Sequence, residues 1–518
     1  MKKIILTTIL LLFSFTFLFS QEEGPGTIKL TLNDCIRNAL EKNFDISVQA
    51  FNPEISETSI RVSKERFMPR LSLDYTKYNY NRLSSWFMEG TQYREKRDVY
   101  SVGIRQDLIT GGNIDLSLSN STTDSTRSFL SVNPTYSSDL QLRLNQPLLK
   151  NFGPNINKRD IKKAQNQRDI SVYNLKTIII QKVYEVEQTY WNLVNSIESL
   201  KVNEYSLEHS KKQLKMTKEA ARIGTKTAVD VLDSETNVAS WESSIITSRA
   251  QVERAEEALR RIMNHPADPL GISIPIIPLD RPLGEKKEIT FEQAMKIAYE
   301  ERPEMTRNQK EIENRSIDVS YYKNQLLPQL DLEFLVWFPG QSGDRLIYLD
   351  DNPYTDEVVD KVLGSRADAL KDVFGMKYDN WYVRLNLNIP LQNFLSRASL
   401  ARIRLEKEQK LLEMEKLKKS IYHELADIFK ELRNNEKRME ASSRYRELME
   451  KKFKAIEEKY RIGATTSDWV FRYQQDLASA KTSEIRAIID YKLSVAELEK
   501  LLGINLKAKN LKFKGYDF

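Results

Sequence analysis

The chain has 518 residues, of which 40% are hydrophobic and 29% are charged. This composition excludes a protein built from several membrane-spanning helices, because each span needs about 20 consecutive apolar residues and only the N-terminal run approaches that length. The net charge of +6 comes from 79 basic and 73 acidic residues dispersed along the chain, which argues against nucleic acid as a partner. The single cysteine, Cys35, excludes an intramolecular disulfide and is expected to be a small buried residue.

Residues 1–20 have the pattern of a secretory signal peptide. Lys2 and Lys3 precede an apolar run, and Ser20 is a small residue at a plausible cleavage point. An uncleaved membrane anchor is the alternative, but the run is short for a span and polar residues follow it at once. The sequence therefore predicts an exported protein.

An internal repeat organises the rest of the chain. Five short stretches recur in the same order: 31–40 at 290–299, 68–71 at 327–330, 145–148 at 388–391, 222–224 at 461–463 and 259–264 at 498–503. This order predicts a duplication. The first repeat covers 21–265 and the second 288–505, joined by a linker rich in Pro and Gly at 266–287 and followed by a C-terminal tail at 506–518.

Both repeats contain segments in which apolar and polar residues alternate, which is typical of β-strands with two different faces. The candidate strands are 70–80, 99–108, 113–120, 138–146, 330–337 and 381–389. The pattern fits the wall of a membrane barrel, and a soluble sheet with one wet face is the alternative. Because membrane barrels need about eight strands and cannot leave an edge in lipid, six strands predict that several copies share one barrel.

Two proline-poor stretches, 155–222 and 395–460, predict helices roughly 100 Å long. Apolar residues step by three and four along both stretches, as in a coiled coil. Reverse helices are expected at 228–264 and 467–502, so that each repeat forms a hairpin of long helices. A cytoplasmic coiled-coil scaffold would explain the heptads but neither the signal peptide nor the alternating strands.

The sequence contains no constellation typical of catalysis. No nucleophile–base pair or Gly-rich phosphate loop is present, and the three histidines stand far apart without the spacing of metal ligands. We therefore predict no enzymatic activity, no catalytic, cofactor-binding or metal site, and no cofactor.

In these residues the chain resembles the TolC family of outer-membrane efflux proteins. The matching stretches are 39–43, 69–71, 328–330, 222–224, 461–463, 229–233 and 501–503. The resemblance covers about residues 30 to 505 and implies a mainly α fold with membrane β: a duplicated repeat whose long coiled-coil helices form a periplasmic α-barrel, with strands of an outer-membrane β-barrel shared by a trimer.

The resemblance implies an outer-membrane channel subunit that provides a passive exit duct for efflux or type I secretion. Its expected partners are two further copies in a homotrimer, a periplasmic adaptor protein, an inner-membrane transporter and outer-membrane lipid, with no nucleic acid. The expected location is the outer membrane, with a large periplasmic part. A periplasmic adaptor or a coiled-coil structural protein is the alternative, but an adaptor would need one helical hairpin rather than two.

The resemblance also suggests where this channel would dock and where it would narrow. Arg222, Gly224, Arg461 and Gly463 match the helical tips that adaptors contact. Asp230, Asp233 and Asp468 lie just beyond the tips and are candidates for an acidic periplasmic constriction, which would favour cations. The alternative for the acids is a solvated helix start, where carboxylates favour the positive end of the helix dipole.

This sequence departs from the family pattern at three places. The family's acidic ring comes from the second-repeat tip, where Trp469 and Arg472 stand here with Asp468 beside them. A hairpin at 99–120 is added to the usual two strands per repeat, either widening the barrel or projecting from it. Residues 339–378 form a second insertion, expected to be an acidic exposed loop.

Overall fold

The computed structural model describes residues 28–83, 92–264, 274–281, 289–355, 357–511 and 513. The predicted signal peptide and most of the predicted linker lie outside these residues, and so does most of the C-terminal tail beyond Leu511.

Eleven α-helices and nine strands form within the described residues. The helices are α1 Leu32–Lys42, α2 Phe44–Glu65, α3 Pro154–Asn157, α4 Arg159–Arg222, α5 Ala228–Met263, α6 Phe291–Glu301, α7 Pro303–Asn324, α8 Arg366–Phe374, α9 Phe394–Arg461, α10 Ser467–Leu502 and α11 Asn505–Ala508. The strands are β1 Ile28–Leu30, β2 Arg70–Leu83, β3 Gln92–Asp107, β4 Asn113–Ser125, β5 Val132–Pro147, β6 Ile276–Pro278, β7 Gln329–Tyr348, β8 Val358–Val362 and β9 Asn380–Asn388.

The chain divides into two compact units, and each unit takes residues from both halves of the sequence. One unit, here the helical unit, comprises the described residues within 1–47, 178–298 and 423–518. The other, the sheet unit, comprises 48–177 and 299–422. The long helices α4 and α9 contribute residues to both units, whereas the large sheet belongs entirely to the second.

The sheet unit is built around an antiparallel sheet in the order β2-β3-β4-β5-β7-β9, with the short β8 paired to the far end of β7. All six predicted strand segments lie in this sheet, and most of the strands extend beyond their predicted ends. The predicted extra hairpin is the pair β3 and β4, which occupies the middle of the sheet between β2 and β5.

The insertion at 339–378 forms strand and helix and is not the expected loop, whereas its acids Asp350, Asp351, Glu357 and Asp360 are exposed as expected. β7 continues through it to Tyr348, and Asp344 is 8% exposed. After β8, a Ser365–Asp368 capping box starts α8, whose Ala369 and Val373 are fully buried. The helix lies so close to Gly340 that a Cβ there would be 2.0 Å from the Ala369 carbonyl oxygen. Local capping and the burial of two side chains thus stabilise a helix in a segment of polar composition.

The core of the helical unit follows the predicted coiled-coil seam. Val183, Val186, Tyr190 and Leu193 are at most 1% exposed. The Tyr190 hydroxyl donates to the Asp280 carboxylate at 2.8 Å, and this carboxylate also accepts the backbone N–H of Leu32 at 2.7 Å. Burial raises the pKa of Tyr190, so the phenol remains a donor at neutral pH. Through Asp280, Tyr190 of the seam therefore fixes the residues that directly follow the parallel strands β1 and β6.

Cys35 is a buried free thiol on α1, as the sequence predicts. Burial, with smaller contributions from the charges of Asp34 and Asp280, raises its pKa to about 12. Because the thiolate is the reactive species, we expect a water-soluble maleimide to leave Cys35 unmodified at pH 7.5 while it labels an exposed engineered cysteine within minutes. Mass spectrometry after labelling checks this, and rapid native labelling of Cys35 would contradict its burial.

Candidate functional site

The two helical tips have the same backbone geometry. Gly224 follows the end of α4 and Gly463 follows the end of α9, and both have φ = 79°. The N–H groups of Thr225 and Ala464 return to carbonyls five residues earlier, at 2.9 and 2.8 Å. A Cβ at either glycine would meet no atom within 4 Å, so glycine is favoured here by the left-handed backbone and not by lack of space.

Both tip arginines point away from the core. The Arg222 and Arg461 side chains are 79% and 77% exposed, and each forms an ion pair with a glutamate three residues earlier, Glu219 and Glu458. Such exposed pairs contribute little to stability. These guanidinium groups are therefore available to a partner at small energetic cost.

The three candidate constriction acids have different environments. Asp230 closes a capping box with Thr227, accepting the Thr227 N–H at 2.9 Å and its hydroxyl at 2.7 Å. The backbone hydrogen bond from Thr227, followed by that from its side chain, lowers the pKa of Asp230. Asp468 pairs with Arg472 at 2.9 Å. Asp233 is exposed and, within the described part of the chain, makes no ion pair. The carboxylate least occupied by local contacts is thus that of Asp233.

The two tips of one chain contact each other through side chains. The Ser467 hydroxyl donates to the second oxygen of Asp230 at 3.4 Å, and the Lys226 ammonium lies 4.4 Å from the centre of the Tyr460 ring. The candidate acids Asp230 and Asp468 are therefore brought to neighbouring helix starts.

A buried polar network behind the tips was not predicted from the sequence. The Gln474 amide donates to the Ser206 carbonyl at 2.7 Å and to the Ser210 hydroxyl at 2.9 Å, and Asn237 donates to the same hydroxyl at 3.1 Å. Ser210 and Gln474 are 1% and 5% exposed. Polar residues at seam positions of a heptad pattern are the signal that could have located it, since such residues fix helix register.

The sheet has one apolar and one polar face. Directly paired residues form an apolar row that crosses all six strands: Leu71, Ile104, Leu116, Leu142, Val336 and Trp381. A second row next to it crosses five strands: Leu73, Val102, Leu118, Leu140 and Phe338. These two rows, with Val383, Leu385 and Leu387 of β9, are called the apolar face below. Many of its side chains are exposed, including Leu73 at 71% and Leu385 at 63%.

The opposite face, called the polar face, carries cross-strand ion pairs. Arg70 contacts Asp107 at 3.0 Å, and Glu333 contacts Arg143 at 3.8 Å and Arg384 at 3.4 Å. An intervening row on this face is Ser72, Gly103, Ser117, Gln141 and Trp337. Exposed apolar side chains on one face and charged groups on the other are typical of a sheet between lipid and water.

α8 lies on the same side of the sheet as the apolar rows, just beyond them. Its Arg366 donates to the Thr122 hydroxyl at 2.7 Å and lies over the Tyr100 ring at 5.5 Å. Tyr100 in turn stacks on Tyr75 with ring centres 4.8 Å apart. Aromatic side chains at the border of an apolar band are common where a membrane meets water.

Among the described residues, no group of three or more His, Cys, Asp or Glu side chains is placed to hold a metal ion. Nor does any helix within the described ranges combine the length and the hydrophobicity needed to cross a membrane.

Comparisons with known proteins agree with this geometry. Residues 113–265 match the family model "Outer membrane efflux protein". No curated protein sequence matches the chain. Among solved structures, the outer-membrane channel OprN has a TM-score of 0.63 at 15% identity, covering 91% of this chain and 89% of that one. The Campylobacter jejuni CmeC outer membrane channel has a TM-score of 0.61 at 13% identity, covering 93% of this chain and 90% of that one. The Neisseria gonorrhoeae MtrE outer membrane channel has a TM-score of 0.59 at 15% identity, covering 92% of this chain and 89% of that one.

The solved structures establish a TolC-like fold. Residues 113–265 are, in addition, similar to outer membrane efflux proteins. The predicted resemblance, the mainly α fold with membrane strands, the exit duct and the outer-membrane location with a large helical periplasmic part are confirmed.

Proposed function

We propose that three copies of the chain enclose a passive duct that drains cargo across the outer membrane. The observation that carries this proposal is the sheet, whose apolar face is exposed while its polar face bears ion pairs. Such a surface is favourable when the apolar face meets lipid and the polar face meets a water-filled bore. The duct performs no catalysis, since it needs only to remain open to water along its length.

The duct would receive cargo from an inner-membrane transporter through a periplasmic adaptor that binds the tips. The exposed Arg222 and Arg461, next to turns with identical backbone geometry, support this docking surface. The transporter supplies the energy and largely determines the cargo, so that drug efflux and type I protein secretion both fit this duct. The adaptor alternative gains no support, because residues of both repeats form one sheet with an exposed apolar face.

Charge reversal at both tips is expected to weaken adaptor capture. Arg222→Glu combined with Arg461→Glu replaces two exposed cations with anions that repel the neighbouring glutamates but disturb no core contact. We expect at least a tenfold loss of crosslinking to the adaptor, equivalent to about 1.4 kcal/mol of binding free energy. Lys201→Glu is the matched control, since Lys201 also lies on α4 and pairs with a glutamate three residues earlier. Unchanged crosslinking by the double variant would remove the tips as the docking surface.

We also propose that Asp233 and Asp468, with Asp230, make the periplasmic constriction selective for cations. Repeated by threefold symmetry, these carboxylates would surround the bore near the tips. Asp233 is exposed and has no ion-pair partner among the described residues, which supports a role in the lumen, whereas Asp230 chiefly caps α5. The ion pair with Arg472 reduces what Asp468 adds.

Neutralising these acids separates selectivity from capping. Asp233→Asn with Asp468→Asn is expected to shift the reversal potential in a potassium chloride gradient towards the non-selective value, measured in planar bilayers. Asp230→Asn is expected to cost about 1 kcal/mol of helix stability through loss of the capping box, with a smaller change in selectivity. Asp427→Asn serves as the control, because Asp427 is an exposed acid on α9 more than thirty residues before the tip. A reversal potential that stays the same in the double variant would eliminate the acidic constriction.

A further inference from the structure

The hairpin β3–β4 is fully integrated into the sheet. β3 pairs with β2 from Arg70–Arg105 to Leu83–Gln92, and with β4 from Asp107–Asn113 to Glu95–Ser125. β4 pairs in turn with β5 from Asn113–Asn145 onwards. Neither strand of the hairpin therefore has a free edge over these lengths.

The turn of this hairpin is also fixed to the end of the sheet. The Thr110 hydroxyl donates to the Gln146 side chain at 2.7 Å, and the Gly153 N–H donates to the Thr110 carbonyl at 2.8 Å. Gly111 has φ = 100°, and a Cβ there would lie 2.2 Å from the Asn151 carbonyl oxygen. The turn is thus packed on the loop that leads from β5 to α3, so the hairpin does not project from the sheet.

The apolar face runs through the hairpin without interruption. Val102 and Ile104 of β3, and Leu116 and Leu118 of β4, continue both apolar rows from β2 to β5. Their partners on the polar face are small or charged, as elsewhere in the sheet. The hairpin therefore has the two-faced character of the strands that flank it.

We propose that the β3–β4 hairpin adds two strands per chain to the membrane wall, so that three copies close a barrel of eighteen strands. The proposal rests on the trimeric channel proposed above. Within the described residues, the outer edges of β2 and β9 have no neighbouring strand, and an open edge cannot face lipid. Because the sheet is antiparallel and its apolar row crosses six strands, β2 of one copy meets β9 of the next in antiparallel orientation, and the alternation continues around the barrel.

The proposal changes the width of the exit. Two strands per repeat, the usual contribution in the TolC family, would give twelve strands in a trimer. For strands about 4.8 Å apart and tilted by about 40°, twelve enclose a cylinder about 24 Å across between backbones and eighteen about 36 Å, so the cross-section grows about 2.3-fold. The membrane end would then admit polymers that a twelve-stranded wall excludes.

Cysteine pairs on one row of the polar face distinguish an eighteen-stranded wall from a twelve-stranded one. Asp74, Ser101, Ser119 and Asp139 are successive partners in this row. In the eighteen-stranded wall, the pairs 74/101 and 119/139 lie on neighbouring strands and form disulfides, whereas 74 and 139 are three strand spacings, about 14 Å, apart and do not. If the hairpin lay outside the wall, β2 and β5 would be neighbours and the 74/139 pair would form a disulfide.

A deletion variant measures the width directly. Removing residues 92–125 leaves β2 and β5 antiparallel, with residues 84–91 and 126–131 to connect them. The variant should then contribute four strands per chain to the wall. We expect the 74/139 disulfide to form only in this variant. A single cysteine at Asp139 should react from outside with larger maleimide-polymers in the full chain than in the variant.

Each outcome bears on one of the two proposals. Disulfides at 74/101 and 119/139, none at 74/139, and the larger polymer limit in the full chain support the eighteen-stranded wall. A 74/139 disulfide in a full-length membrane trimer, or equal polymer limits, overturns it and leaves the trimeric channel intact. Recovery of the full-length chain as a monomer outside the membrane overturns the channel proposal itself.

Discussion

Arginine at Leu142 and Leu385 is expected to prevent assembly of the channel in the outer membrane. Both side chains lie on the apolar face, Leu142 beside Leu116 and Val336, and Leu385 beside Leu332. An arginine facing lipid near the middle of a membrane barrel costs about 2–4 kcal/mol, and a trimer of the double variant would carry six of them. This total exceeds the stability of an ordinary domain, so the chain should be degraded or remain in the periplasm.

Arginine on the neighbouring polar positions provides the matched control. Gln141 precedes Leu142, Asn386 follows Leu385, and both belong to the polar face, where Arg143 and Arg384 already stand. Gln141→Arg with Asn386→Arg should assemble nearly as well as the natural chain. The readout is the amount of stable oligomer in the outer-membrane fraction. Equal assembly of both double variants would show that the apolar face is not in contact with lipid.

A buried carboxylate in the sheet unit accounts for the second large effect. Asp318 on α7 is 2% exposed and binds two cations from the start of α4, Arg159 at 2.7 Å and Lys163 at 3.0 Å. The Arg159 guanidinium also lies 4.5 Å from the centre of the Tyr321 ring. One buried anion therefore compensates two positive charges where the long helix begins, and Arg315 on α7 is a third cation 3.9 Å away.

Asp318→Asn is expected to destabilise the folded protein by about 3 kcal/mol, the lower end of the range for breaking a buried pair. The carboxylate's partners would remain with uncompensated charge, but their side chains are 24% and 33% exposed and so retain part of their hydration. The measurement is the shift in the chemical unfolding midpoint of the purified protein.

Asp427→Asn is the control for this effect. Asp427 also pairs with a lysine, Lys430, but the two side chains are 76% and 73% exposed, and such pairs contribute about 0–1 kcal/mol. Asp318→Asn with a midpoint as little changed as that of Asp427→Asn would contradict the importance of the buried cluster.

The long helices could be predicted closely from the sequence because their signals are local. The predicted stretches 155–222 and 395–460 correspond to α4 and α9, whose ends differ by at most four residues. Periodic apolar residues, the lack of proline and a glycine after each helix set these limits without help from distant contacts. The start of α4 is the largest difference, because a single turn, α3, precedes it.

The six strands were also predictable, but their length and order were not. Alternation shows where a strand lies, whereas its end depends on the neighbour that continues to bond it. β7 ends at Tyr348, eleven residues past its predicted end at 337, because β5 and then β8 pair with it. That the extra hairpin lies inside the sheet could be learned only from such pairing.

At the tips, the positions of the turns could be predicted but the contacts of each carboxylate could not. Arg222, Gly224, Arg461 and Gly463 were located by the repeat, and the structure gives both glycines the same φ. The individual states of the acids were not predictable, since Asp230 is committed to a capping box and Asp468 to Arg472 by side-chain geometry. The repeat boundaries and the docking and constriction roles remain predictions.

The fold of the insertion could not be predicted for a related reason. Its acidic composition indicated exposure, which most of its acids have, but not that α8 packs on β7 through two buried side chains and a glycine. Close approach of a helix to a strand depends on a residue thirty positions away in sequence. Composition of the segment alone carries no information about such a partner.

A sheet that separates lipid from a water-filled bore exposes every second residue of β5 to water. Single cysteines at each position from Asp139 to Leu144 can be labelled with a water-soluble maleimide in outer-membrane vesicles opened to the reagent. We expect reaction at 139, 141 and 143 and protection at 140, 142 and 144. Equal labelling at all six positions, with the chain in the membrane fraction, would show that the sheet does not separate lipid from water.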